Sequence, residues 1–284
     1  MIINENKMPE FNQPSLPQDV ILANVDIDKN HLAEKPLWYE IDGKMYYFKP
    51  RQDDRALSEL INSEFYKVQN LSSAHYAAAK VNGQSGLLSQ NFQTKGNFYE
   101  DIDQLYRAYY IDKNNYSLQN LLQHFATILP TNVYDNIETE LINLYLSDYF
   151  AHQLDRNPRN VMLEEAGQNI HLAKIFDSEK SLGIKKRSFQ DLDSKSLWIP
   201  SMPYEAGLEP SEIDNVDINI MGLFLDYPEK VSSFLDTLLK QDYYNIINSF
   251  TNRNQPLSLT EEDAKQIKEL LEYKQEKIYT LKRM

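Results

Sequence analysis

The sequence contains no cysteine, which excludes disulfides and cysteine-bound zinc but does not fix the compartment. Glycine is scarce, at 8 of 284 residues, so a mechanism built on a glycine-rich phosphate loop lacks its usual material. Neither a Walker A sequence, a Gly-x-Gly-x-x-Gly turn nor a Gly-x-Ser-x-Gly elbow occurs. No stretch approaches the roughly 18 consecutive apolar residues of a spanning helix, and Met1–Pro17 is polar, without the apolar core of a secretory signal. Basic residues are also short: the net charge is −13, which argues against broad attraction to nucleic acid or an anionic membrane. His31, His75, His124, His152 and His171 are scattered without an i,i+4 pair, so zinc is not expected. These absences describe a soluble, cytoplasmic protein; a secreted effector without a conventional signal stays open.

What is present suits a globular domain. Hydrophobic residues make up 42% and charged residues 25%, and the 19 tyrosines add large rigid surfaces for cores and clefts. Residues 1–17, with Pro9, Pro14 and Pro17, read as a flexible arm. Val20–Val25 and Leu37–Pro50 read as strands, the latter a hairpin turning at Asp42-Gly43. Leu57–Asn70 has helical periodicity, and Tyr76–Val81 with Gly86–Phe92 forms a second hairpin around Asn82-Gly83.

From Asp101 the pattern turns helical. Ile137–Phe150 is a helix that delivers the chain to a polar loop at Asp155. Val161–Leu163 and His171–Phe176 read as a small hairpin joined by Glu164–Asn169, and the chain is helical again beyond Ser211. Ser258-Leu-Thr-Glu261 matches a capping box opening the last helix. The order predicts an α+β, bilobal protein with a β-rich lobe over 18–95 and a larger helical lobe over 96–284. Small ligands usually bind at such a junction.

Asp155-Arg-Asn-Pro-Arg-Asn160 and the later Asp177 carry the chemistry. A carboxylate at Asp155 can orient an acceptor hydroxyl and take its proton. Asn160 and Asp177 offer hard oxygen ligands of the kind that suit Mg²⁺. A charged Asn-Pro turn and a strand-end cap are the plainer accounts of the same residues. Lys49 ends an aromatic strand, where it can reach phosphates, and Glu59 on the next helix can hold it in place, with Glu64 as the rival partner. A solvated lysine and a wet helical face are the plainer accounts here. His152 can brace the loop or be a half-buried structural residue. Arg156 and Arg159 can bind phosphate or structure the loop, although surface ion pairs are simpler.

At these residues the chain resembles the HipA-like Ser/Thr protein kinases. Trp38–Lys49 looks like the strand pair ending in the ATP-contacting lysine, and Ser58-Glu59-Leu60 like the start of the small-lobe helix. Ala74–Phe92 is similar to the strand pair leading to the adenine hinge. Asp155–Asn160 matches the Asp-x-x-x-x-Asn catalytic loop, and Asp177 the metal-binding Asp. The likeness covers about residues 20–185. It implies an ATP- and Mg²⁺-dependent kinase acting on protein Ser or Thr, with a hinge near Leu88, Ser89 and Asn91 and Met162 against the adenine. With the acidic balance, no nucleic-acid or membrane partner is expected, and the oligomeric state is left open. The chain departs in three ways: Ser178-Glu179 follows Asp177, so Asp-Phe-Gly is missing; Asp26–Lys35 has no glycine; and the extra N-terminal subdomain of toxin-type members is not expected. A pseudokinase, a phosphoinositide or small-molecule kinase, and a nucleotidyl transferase remain as rivals.

Overall fold

The computed structural model describes residues 10–11, 37–41, 44–50, 54–81, 84–108, 117–154, 156–167, 169–184, 218–251 and 257–283. Expectations for Val20–Val25, Asp26–Lys35, the two hairpin turns and Asp155 lie outside them.

Five strands form the first sheet: β1 (Glu10–Phe11), β2 (Leu37–Ile41), β3 (Lys44–Lys49), β4 (Tyr76–Val81) and β5 (Gln84–Gln90), in the order β1-β4-β5-β3-β2. β2 and β3 pair antiparallel with Trp38 opposite Tyr47, and β5 lies between β3 and β4. Glu10 and Phe11, within the expected flexible arm, instead add a short parallel strand to β4. Strand alternation puts Tyr47, Lys49, Leu87, Ser89, Tyr76 and Ala78 on one face, with Phe48, Leu88 and Ala77 on the other. Gly86 allows β5 to close on β3 at the Lys49 end. A Cβ there would overlap the Lys49 carbonyl oxygen and meet the Phe48 ring at 2.8 Å.

Helix α1 (Asp54–Val68) buries Leu57, Leu60, Ile61 and Phe65 in one core cluster with Tyr76 and Leu87. Asp54 in its first turn and Lys67 in its last complement the helix dipole. It stops two residues earlier than expected because Asn70 takes a left-handed conformation (φ 60°). The Leu71 N–H then donates to the Tyr66 carbonyl at 2.8 Å and the Asn70 N–H to that of Lys67, a Schellman stop.

The second sheet is β6 (Phe98–Asp101), β7 (Met162–Ala166) and β8 (Asn169–Leu172), all antiparallel. β6 falls just before the stretch expected to turn helical. The β7–β8 turn is far shorter than Glu164–Asn169 because Gly167, at φ 66°, turns the chain tightly. Glu164 and Glu165 can therefore stay in the ladder. Past Leu172 the chain leaves the hairpin, and Ile175 pairs with Ser73 at an isolated parallel bridge. Asp177 thus follows a tie to the α1–β4 connection and does not close a hairpin strand.

The helical part comprises α2 (Ile102–Ala108), α3 (Leu118–Ile128), α4 (Thr131–Phe150), α5 (Ile218–Asp226), α6 (Pro228–Lys240), α7 (Tyr243–Phe250) and α8 (Glu261–Leu281). α4 buries Ile137, Leu141, Leu144 and Tyr145, and α8 buries Ala264, Ile267, Leu270, Leu271, Ile278 and Leu281. The capping box of α8 is Thr260 with Asp263, not Ser258 with Glu261. Leu259 is held extended by its bridge to Thr251, so the helix cannot begin before Thr260. Among the described residues no helix is long and apolar enough to cross a membrane.

Candidate active site

Three side chains from three elements converge at the end of β3. Lys49 Nζ donates to Glu59 Oε1 at 2.9 Å and Oε2 at 3.0 Å, and to Asp177 Oδ1 at 3.3 Å. Glu64 instead meets Lys67 at 3.5 Å near the surface of the same helix. Glu59 is 1% exposed, while Lys49 keeps 19% and Asp177 32% of their side-chain surface. The pair is therefore anchored on the inner side and open on the outer. Burial acts most strongly on Lys49 and opposes its charge. Glu59, then Tyr76 and Asp177, more than offset it and hold the Lys49 pKa well above the ordinary range. The ammonium stays charged at neutral pH.

Tyr76, on β4, closes the arrangement, and no sequence signal had singled it out. Its hydroxyl bonds Glu59 and accepts from the Asp177 N–H at 3.3 Å. Burial, then the Glu59 carboxylate, pushes the phenol's pKa well up, so it remains a donor. Asp177 itself sits at φ 58°. Its carbonyl accepts from the buried Gln153 side chain at 3.3 Å. Of the four described non-glycine residues with positive φ, three cluster here: His152, Asp177 and Leu182. A left-handed β-carbon costs energy, most for a residue like Leu, so this locus is held by its surroundings. The Leu154 N–H donates to the Lys180 carbonyl at 3.0 Å, and that of Leu182 to the Ala151 carbonyl at 2.8 Å. His152 is fully buried, not half-buried.

Asn160 ends a 3₁₀ turn (Pro158–Asn160) that Asn157 caps through its side chain and Pro158 starts. The plain Asn-Pro turn is thus real, and it presents Asn160 at 8% exposure. Arg156 is the correction of this loop. Far from forming a surface ion pair, it is 1% exposed and makes a two-pronged bond to Asp148 of α4, Nε to Oδ2 at 2.8 Å and Nη2 to Oδ1 at 3.0 Å. Its Nη1 donates to the carbonyls of Asn160 (3.2 Å) and Phe176 (2.8 Å), so the Asn160 loop and the Asp177 segment meet at one nitrogen. Arg159 remains the half-exposed partner of Asp103, at 3.3 Å.

Donor chemistry in this locus fits a hard divalent cation. Carboxylate oxygens of Glu59, Asp177 and Glu179 lie within 4.8 Å of one another, with Lys49 already bonded to two of them. Glu179 also faces Arg55 at 3.7 Å. Oxygen ligands without nitrogen or sulfur suit Mg²⁺.

The expected adenine contacts are placed less tightly. Leu88 and Ser89 lie mid-strand with β3 and β4 paired on either side, and Leu88 faces away from Lys49. Asn91 is the first residue past the ladder. Its N–H donates to the Met45 carbonyl at 2.8 Å and its side chain accepts from the Gln93 N–H, so it shapes the loop. Met162 shares a face of the second sheet with Tyr99 and Glu164. Phe92 is the unforeseen neighbour: its ring lies 5.7 Å from that of Phe176 and 6.4 Å from that of Tyr99. An aromatic two residues past the end of β5 was the available signal.

No protein-family model matches the chain, and no curated protein matches its sequence. Solved structures do. A Helicobacter pylori proinflammatory kinase, CtkA, superposes with a TM-score of 0.58 at 14% identity, over 87% of this chain and 92% of that one. HipA from the toxin–antitoxin complex of Shewanella oneidensis MR-1 gives a TM-score of 0.54 at 11% identity, over 84% of this chain and 58% of that one. At such identities the likeness is one of architecture: small β-sheets and a larger helical part, arranged as a kinase-like, HipA-like α+β fold.

Proposed function

We propose that the protein is an ATP- and Mg²⁺-dependent phosphotransferase that moves the ATP γ-phosphate to a Ser or Thr hydroxyl of a protein. The observation that carries this reading is Lys49 Nζ bonded at once to Glu59 and Asp177. On this reading residues 18–95 form the nucleotide-binding lobe and 96–284 the lobe bearing the catalytic loop and metal site. Lys49 grips phosphate oxygens, and Glu59, itself held by Tyr76, keeps the ammonium in place. Asp155 orients the acceptor hydroxyl and takes its proton as the oxygen bonds to phosphorus and the bond to ADP breaks. Asn160 and Asp177 would hold Mg²⁺, which would neutralise charge on the phosphate oxygens. Phe92 is a better candidate for the adenine wall than Leu88, whose side chain faces the other side of the sheet.

Intact mass after incubation with Mg²⁺-ATP and an acceptor protein tests the reading. Wild type should add about 80 Da per phosphate, and Asp155→Ala should add none; about 329 Da would mean AMP transfer instead. A pseudokinase is the second reading, favoured by the glycine-free Asp26–Lys35 segment. It predicts that ATP raises the melting temperature while no mass is added.

A further inference from the structure

Asp-Phe-Gly kinases place an aromatic residue after the metal-binding Asp; this chain places Ser178 there, 2% exposed and fully engaged in polar contacts. Ser178 Oγ lies 2.9 Å from the Tyr66 hydroxyl of α1 and accepts from Arg156 Nη2 at 3.2 Å. Tyr66 in turn donates to Asp148 at 3.1 Å and accepts from Arg156 at 3.1 Å. With the two prongs to Asp148 and the two carbonyls, every guanidinium N–H of Arg156 has a partner among described residues. Burial opposes the Arg156 charge, but Asp148 outweighs it and the guanidinium stays cationic.

The same face of α1 continues the contact. Ser58, Asn62 and Tyr66 recur every four residues, which stacks them on one side of the helix. Ser58 donates to the Ser181 carbonyl at 3.0 Å, and Asn62 bonds the Ser181 side chain. Helix α1 carries Glu59, the 178–181 segment follows Asp177, and the Arg156 loop leads to Asn160. Four buried polar side chains therefore tie together the three pieces of backbone that carry the site.

We infer that Arg156, Asp148, Tyr66 and Ser178 form a latch of positioning residues that fixes the metal-binding Asp177 against the Asn160 loop and α1. This rests on the phosphotransferase reading. The latch holds the segment that follows Asp177 against α1 through Tyr66 and Ser178, and against the Asn160 loop through Arg156. Tyr66 and Ser178 bond each other and share Arg156 Nη2, so losing either hydroxyl loosens the same joint.

The test is the Mg²⁺ dependence of ATP binding, followed by thermal shift or a fluorescent ATP analogue, in wild type, Tyr66→Phe, Ser178→Ala and the double variant. Each single variant removes only a hydroxyl and so spares the Arg156–Asp148 pair. The latch predicts a Mg²⁺ midpoint about tenfold higher in each single variant, as for loss of a metal site's outer partners, with Mg²⁺-free ATP binding unchanged. The double variant should be no worse than the weaker single, because the two act as one unit. Wild-type Mg²⁺ midpoints in the variants would overturn the latch. So would an equal loss of Mg²⁺-free and Mg²⁺-dependent binding, which marks a merely structural role. Wild type without any Mg²⁺-dependent ATP binding would instead overturn the phosphotransferase reading.

Discussion

Two cation–carboxylate pairs sit a few residues apart in space and are built for opposite purposes. Lys49 and Glu59 meet at the rim of the β-sheet, where the cation keeps 19% of its side-chain surface. Arg156 and Asp148 meet in the interior, at 1% and 2%. A lysine on a flexible stem can shift from its carboxylates to an incoming phosphate, whereas a planar guanidinium with every N–H engaged cannot. The comparison teaches where specificity of position comes from: the pair proposed to meet ligand is left partly open, and the pair that holds the loops is sealed.

The comparison breaks most visibly at the sealed pair. Asp148→Ala should lower unfolding free energy by about 3–5 kcal/mol, because it strands a buried guanidinium. Urea unfolding measures this, and a loss within error would show that the pair is not the interior anchor described. Lys49→Met should cost less, about 1–3 kcal/mol, while removing phosphate transfer. Burial, opposed chiefly by the Lys49 ammonium and reinforced by the Asp177 carboxylate, already pushes the Glu59 carboxyl up, and removing Lys49 takes away the main opposing influence. A carboxyl with a raised folded-state pKa binds more protons folded than unfolded, so stability falls as pH rises. Lys49→Met should therefore be more stable at pH 5 than at pH 8, relative to wild type, in melts across that range.

Gly86→Ala should cost about 1–3 kcal/mol through overlap with the Lys49 carbonyl and the Phe48 ring. It should also weaken ATP binding, since β3 must move to make room; unchanged binding would separate Lys49's position from β5. The smallest effect sharpens a boundary. Thr260→Ala should cost about 1 kcal/mol and Ser258→Ala less than about 0.5 kcal/mol, by thermal unfolding, because only Thr260 caps α8.

The open pair was more legible in the sequence than the sealed one, for a physical reason. Lys49 and Asp177 close short apolar runs, Asn160 opens one, and the order of these residues with Glu59 along the chain constrains what they can do together. Arg156 stands in a string of charged and turn-forming residues that reads as surface. Its partner gave the better clue: Ser147-Asp148 interrupts Tyr145-Leu146 and Tyr149-Phe150 in the most apolar turn of α4, where a carboxylate needs a buried counter-charge. Tyr76 was hidden because a strand tyrosine ordinarily reads as packing. Strand ends suffered for similar reasons: Glu164 and Glu165 look like a turn, yet Glu164 stays in the ladder bonded to Tyr99 at 2.5 Å and Asn97 at 2.6 Å.

The central claim is that the convergence of Lys49, Glu59 and Asp177 is a phosphotransfer site, and γ-labelled ATP tests it most directly. Wild type and Asp177→Asn would be incubated with Mg²⁺ and an acceptor protein, after matching their melting temperatures. The account predicts label on protein with wild type and none with Asp177→Asn, although both are folded. Equal labelling by the two proteins, or none by wild type, would contradict it.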